Sequence, residues 1–279
     1  MITAITSTAT TIMFEFEFMR NAFMATTIVG VVAGAVGYFL VLRGETFAGH
    51  ALAHVGFPGA TGAALIGLSP LLGLTLFTLV AGIGIGLLGE KAHRDVAIGL
   101  VLTLSLGLGL LFLHFYTAYA SQATNVLFGN VLGIGGGTII VLAVLAVVCL
   151  VALTLIARPL LFASLQPELA EARGVRLGLV STLFMVIAAI STVEAMQIVG
   201  VLLVFALMVA PAASAMRLTR RVGSGIAVSV ALAVAIAWLS LTLAFYTDWP
   251  TSFWITALGA LVYIATGLAG ATARPRPSV

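Results

Sequence analysis

Thr138-Ile-Ile-Val-Leu-Ala-Val-Leu-Ala-Val-Val-Cys149-Leu-Val-Ala-Leu-Thr-Leu-Ile-Ala157 runs for twenty residues without a charged side chain. Coiled as a helix at about 1.5 Å per residue, such a run matches the roughly 30 Å hydrocarbon core of a bilayer. In hydrocarbon every backbone amide must find its partner inside the segment, and a helix provides it. The stretch reads as a membrane span, with Cys149 as a small buried apolar residue. Of all 279 residues, 62% are hydrophobic and 8% charged, against about 25% charged in soluble domains. A soluble domain is therefore excluded. A single cysteine also excludes an internal disulfide, and nothing suggests a Cys-based metal site.

Working outward, the apolar runs divide the chain into spans. The first covers Phe23 to Leu42, and the second holds His50 and His54 and extends to Leu68. Ser69-Pro70 turns into a third, ending near Leu88, and the polar Glu90–Asp95 loop leads to a fourth, ending near Tyr116. Tyr116 to Gly137 reads as an outside segment with a short re-entrant or surface helix. After the Thr138–Ala157 span comes the polar stretch 158–176, then a sixth span ending before Glu194 and a seventh from Ala195 to Met216. The last two are Ile226 to Phe245 and Phe253 to Leu268. The expected fold is all-α: a polytopic bundle of about nine helices, or eight with one segment re-entrant. Residues 1–18 read as a leader and an interfacial anchor around Phe14-Glu-Phe-Glu-Phe18, 19–272 as one transmembrane domain, and 273–279 as a tail.

Charge supports this division. With nine spans and the N-terminus outside, the inner loops and tail hold Arg43, Lys91, Arg94, Arg158, Arg173, Arg176, Arg217, Arg220, Arg221, Arg274 and Arg276, and Arg20 alone falls outside. That asymmetry satisfies the positive-inside rule and places the C-terminus in the cytoplasm. The net charge of +3 accordingly speaks of membrane orientation and not of nucleic-acid binding.

A few residues carry chemistry. His50 and His54 stand four apart, so on a helix their imidazoles share one face and could hold a borderline ion such as zinc. Pro58 lacks a backbone donor and Gly59 lowers helix propensity, so the helix is expected to break or kink there. Glu194 is placed near the outer ends of the sixth and seventh spans, where a carboxylate could collect cations or line a vestibule. Pro211 is expected to kink the seventh helix and free backbone groups beside a cavity. His114 and Asp248 read as interfacial, and His93 as solvated. Pro167 to Arg173, with Glu168, Ala170 and Glu171, is helix-forming but too short and charged to span, and Gly174 can end it. The glycines Gly30, Gly34, Gly82, Gly84, Gly86, Gly107, Gly109, Gly133 and Gly137 read as close-packing points between helices. Gly84 to Lys91 lacks the spacing of a phosphate loop, since Glu90 separates Gly89 from Lys91 and no Ser or Thr follows.

Several motifs, taken in order, resemble one family. Leu40-Val-Leu-Arg43 with Gly49-His-Ala-Leu-Ala-His54-Val-Gly-Phe-Pro58-Gly59, then Asp95-Val-Ala-Ile-Gly99, Leu127-Phe-Gly-Asn-Val-Leu-Gly133, Gln166-Pro-Glu-Leu-Ala-Glu-Ala-Arg-Gly174 and Gln197 to Pro211 resemble the permease subunits of bacterial zinc/manganese/iron ABC importers. Where that family has Asp-x-x-Ser-His-x-x-x-Pro-Gly, this chain has His50 for the carboxylate and Ala53 for the hydroxyl. Imidazole suits zinc and its neighbours where an acidic oxygen suits manganese, so zinc is the expected ion, with manganese or iron as alternatives.

The resemblance implies a permease in the bacterial cytoplasmic membrane, paired with a second copy or paralogue. Two cytoplasmic ATPase subunits would lie below and an extracytoplasmic metal-binding protein above, with lipid around. ATP and magnesium would sit on the partners; this chain would bind no cofactor, hold no ATPase site and be no enzyme by itself. Residues 158–176, and Pro167 to Gly174 above all, would be the coupling segment. Two rivals differ. A gradient-driven secondary transporter usually places ionisable residues deep in the membrane, and none of the nine acidic residues is expected mid-span. A permease for a chelated metal, siderophore or vitamin would need no imidazole pair.

Overall fold

The computed structural model describes residues 13, 15–88, 94–115, 129, 131–201 and 204–272. In chain order they form α1 (Glu17–Leu42), α2 (Thr46–Leu65), α3 (Pro70–Leu88), α4 (Arg94–Phe115), a 3-10 turn (Val131–Gly133), α5 (Gly136–Leu165), α6 (Pro167–Ala172), α7 (Leu177–Val199), α8 (Val204–Leu218), α9 (Val222–Thr247) and α10 (Thr251–Thr272). Among the described residues there is no strand, and every helix except α6 has fifteen residues or more. This is the expected all-α bundle of about nine spans. Seven helices are long and apolar enough to cross a membrane; α2 and α8 are not among them, α8 because it has only 15 residues. The expected outside helix between Tyr116 and Gly137 lies largely outside the described residues, as do His93, the leader and the tail.

The bundle is built around α1 and α7. The apolar window of each is 72% buried, against 17% for α4. α1 packs on α5, α7, α8 and α9, while α7 also supports α3 and α2. α2, which carries both histidines, is wedged against α3, α4 and α7 and touches α8 more lightly. Helices in lipid gain little from hydrophobic burial against one another, so close backbone approach matters, and small residues supply it. A Cβ on Gly34 would stand 2.7 Å from the Val230 Cα of α9, where the Ser229 hydroxyl also donates to the Gly34 carbonyl at 2.7 Å. Gly30, Gly82, Gly86 and Gly109 are likewise close-packed against α9, α7, α7 and α2, but Gly84, Gly107 and Gly137 face nothing within 4 Å.

Three expectations need correction. First, of the break or kink expected at Pro58 and Gly59, no break occurs: α2 stays helical from Thr46 to Leu65. Gly59 serves packing: a Cβ there would collide with the Gly73 carbonyl of α3, and one on Gly73 with the Gly59 carbonyl. Second, the fifth span is longer than Thr138 to Ala157. α5 has 30 residues and takes in Arg158 and Pro159, so its last turns project beyond a hydrocarbon core of roughly 30 Å. Third, the sixth span does not stop before Glu194: α7 continues to Val199, and Gly200 ends it at φ 82. The seventh span accordingly begins at Val204 and not at Ala195. Pro211 lies within α8 and is buried.

Candidate functional site

His50 and His54 lie one turn apart on α2, and their ring centroids are 4.5 Å apart at an interplanar angle of 72°. Their shared face follows from the i, i+4 spacing on a helix that the proline does not interrupt. His50 is half-buried and meets the Phe205 ring of α8 edge-on at 5.1 Å. His54 is 9% exposed, and its Nδ1 is buried with no hydrogen-bond partner. An unsatisfied buried imidazole nitrogen is costly in this setting and is available to a ligand. Pro58 adds a further feature: having no N–H, it leaves the His54 carbonyl without the donor that a helix places four residues on.

Beyond Phe205 an apolar cavity of about 480 Å³ opens between the end of α1, the start of α2, and helices α8 and α10. Val41, Thr46, Phe205, Val209, Ala213 and Tyr263 line it. Arg217 holds its wall together, donating to the Tyr263 carbonyl at 2.9 Å with its guanidinium 3.9 Å from the Tyr263 ring centroid. The Pro211 neighbours Val209, Ala210 and Ala213 all face this cavity, so α8 flanks it beside that proline.

Glu194 is not exposed at the helix end. It lies inside α7 with 0% exposure, and neither carboxylate oxygen has a partner. The helix thus takes in a charge that was expected to mark its boundary, and holds it in its last two turns. Ser191 Oγ and Gln197 Nε2, three residues to either side, are also buried without partners. The structure does not gather the predicted ligands into one cage: among the described residues no three His, Cys, Asp or Glu side chains converge on a common point. Cys149 is buried and its thiol reaches the Ile187 carbonyl at 3.7 Å, as a packing residue would.

The residues of the 158–176 segment fall as the local sequence dictates. Pro167 opens α6, where its missing N–H costs nothing. Gly174 closes the segment at φ 83, and the Val175 amide returns to the Ala170 carbonyl at 3.0 Å. Glu168, Glu171 and Gly174 are exposed, but Ala170 is fully buried and anchors α6 against the bundle. His114 and Asp248 are exposed at helix ends, as expected of interfacial residues.

Sequence reasoning missed one cluster. Arg43 was read as a loop charge and as part of a motif, with no partner assigned, yet it forms a two-pronged ion pair with Glu45, Nε to Oε2 at 3.0 Å and Nη2 to Oε1 at 3.1 Å, with the side chains 8% and 6% exposed. Opposite charges two residues apart in so apolar a chain were the available signal.

Comparison with known proteins agrees with this architecture. Residues 15–269 match the model of the ABC 3 transport family. The chain is 34% identical over 203 residues to the manganese import system permease protein ScaB of Streptococcus parasanguinis, covering 72% of each chain. It is 28% identical over 253 residues to the "Probable iron transport system membrane protein" of Haemophilus influenzae, covering 90% of this chain and 93% of that one. Among solved structures, PsaBC from Streptococcus pneumoniae in complex with Fab superposes with a TM-score of 0.82 at 28% identity, covering 91% of this chain and 92% of the other. A helical bundle with a paired-imidazole helix, a short exposed helix between long ones and a match over almost its whole length, this chain belongs to the ABC 3 transport family.

Proposed function

We propose that this permease carries a divalent transition metal ion across the cytoplasmic membrane, past His50 and His54, with ATP hydrolysed on partner subunits. The observation that carries this is the imidazole pair itself: two rings 4.5 Å apart on one helix, one of them with a buried, unpartnered nitrogen. Two His nitrogens are half of a tetrahedral shell, and water would complete it. An incomplete protein shell suits a carrier, since an ion held by four protein ligands would leave slowly. Glu194, with two unpartnered oxygens in α7, is the second candidate along the path. The same reading gives α6 the ATPase docking role, pairs the chain with a second permease, and sets the N-terminus outside and the C-terminus inside.

Zinc is the proposed ion on ligand chemistry, because imidazole replaces the family's carboxylate at position 50. A second reading, manganese or iron, is favoured by the names of the relatives. Uptake by the full importer, with zinc, manganese and iron compared in parallel, separates them. His50→Ala and His54→Ala should each lower uptake of the preferred ion by about tenfold or more, while the protein reaches the membrane in normal amount. Normal uptake in both variants would remove the pair from the path.

A further inference from the structure

Arg43 caps α1 and Glu45 precedes α2, so the ion pair spans a single tight turn; its contacts reach much farther. Besides gripping Glu45, the guanidinium donates from Nη1 to Ser164 Oγ and from Nη2 to Ser181 Oγ, both at 3.3 Å. It also lies 5.6 Å from the centroid of the Phe184 ring. Ser164 is in the last turn of α5, and Ser181 is in the second turn of α7. In the chain, α6 hangs between those two serines. One planar cation therefore ties both ends of the loop that carries α6 to the start of the helix that carries the histidines. From Thr46 past His54 that helix is continuous, so displacement of its first turn is passed to the imidazoles.

A buried ion pair is a poor source of stability, because desolvating two charges offsets their attraction and apolar replacements often do as well. What such a pair does supply is a defined arrangement, held at several points by a rigid fork of donors. We propose that the Arg43–Glu45 pair is the positioning link that passes movement of α6 to α2, and so joins ATP hydrolysis to opening of the metal path. The link rests on the reading that α6 docks the ATPase and that α2 lines the path.

The test uses the full importer in proteoliposomes and measures metal delivered per ATP hydrolysed. Arg43→Lys keeps the charge but loses the fork, and a Lys ammonium cannot hold Glu45 and both serines together. Ser164→Ala with Ser181→Ala leaves the ion pair intact and removes only its ties to α5 and α7. In each case ATP hydrolysis should stay within about twofold of wild type while metal delivered per ATP falls by about tenfold. An unchanged ratio in the double serine variant overturns the proposal, and that variant decides even if Arg43→Lys fails to assemble. Attachment of the ATPase to Glu168→Ala/Glu171→Ala is measured beside it. Undiminished attachment there removes α6 from docking and the proposal with it. Lost attachment there, with an unchanged ratio in the serine variant, overturns the link alone.

Discussion

Gly59 lowers helix propensity, and beside Pro58 that property argues locally for a helix end. In the folded chain its lack of a Cβ matters more, since Gly59 and Gly73 bring the backbones of α2 and α3 together at reciprocal carbonyl contacts. Such a partnership is invisible in the sequence because it depends on which residue lies opposite. Gly59→Ala should destabilise the protein by about 1–3 kcal/mol, the ordinary cost of overpacking, and lower the melting temperature of the purified protein. Gly84→Ala, with open space around the position, should leave it unchanged. Equal melting temperatures for the two variants would contradict the close-contact account. Glu194 teaches the same lesson with opposite sign. A charge in an apolar sequence usually marks an interface with water, but here tertiary packing encloses it. The i, i+4 histidine pair needed no such context, and its face was legible at once.

At the scale of elements, α6 was the most legible part of the chain. Proline at its first turn and glycine just past its end are local signals, and both operate as the backbone rules require. Its inward and outward faces were not legible: Ala170 turns to the bundle, while Leu169 is 46% exposed between the exposed Glu168 and Glu171. If α6 has the proposed docking role, this exposed Leu169 between two carboxylates is the contact surface, and Glu168→Ala with Glu171→Ala should reduce co-purification of the ATPase subunits severalfold at equal membrane abundance of the permease. Unreduced co-purification would show that contact lies elsewhere. The length of α5 belongs to the same scale. Its 30 residues, about 45 Å of helix, exceed the thickness of a hydrocarbon core of roughly 30 Å. A hydropathy reading stops at Arg158 because it follows composition, whereas the helix continues as long as its amides find partners.

The whole molecule was legible in outline because a bilayer leaves few choices: apolar runs of about twenty residues become helices, and short loops order them. What the outline lacked was the third dimension, namely the central place of α1 and α7, the wedging of α2 between α3, α4 and α7, and the Arg43 cluster that joins three segments distant in sequence. In the proposed function the transported ion rests against the imidazoles of α2. X-ray absorption at the metal edge, on the full importer loaded with zinc, tests it most directly. The spectrum should show imidazole scattering with nitrogen neighbours at about 2.0–2.1 Å, lost when His50→Ala and His54→Ala are combined. A shell of oxygen neighbours alone, identical in wild type and double variant, would contradict the claim and leave the two histidines as packing.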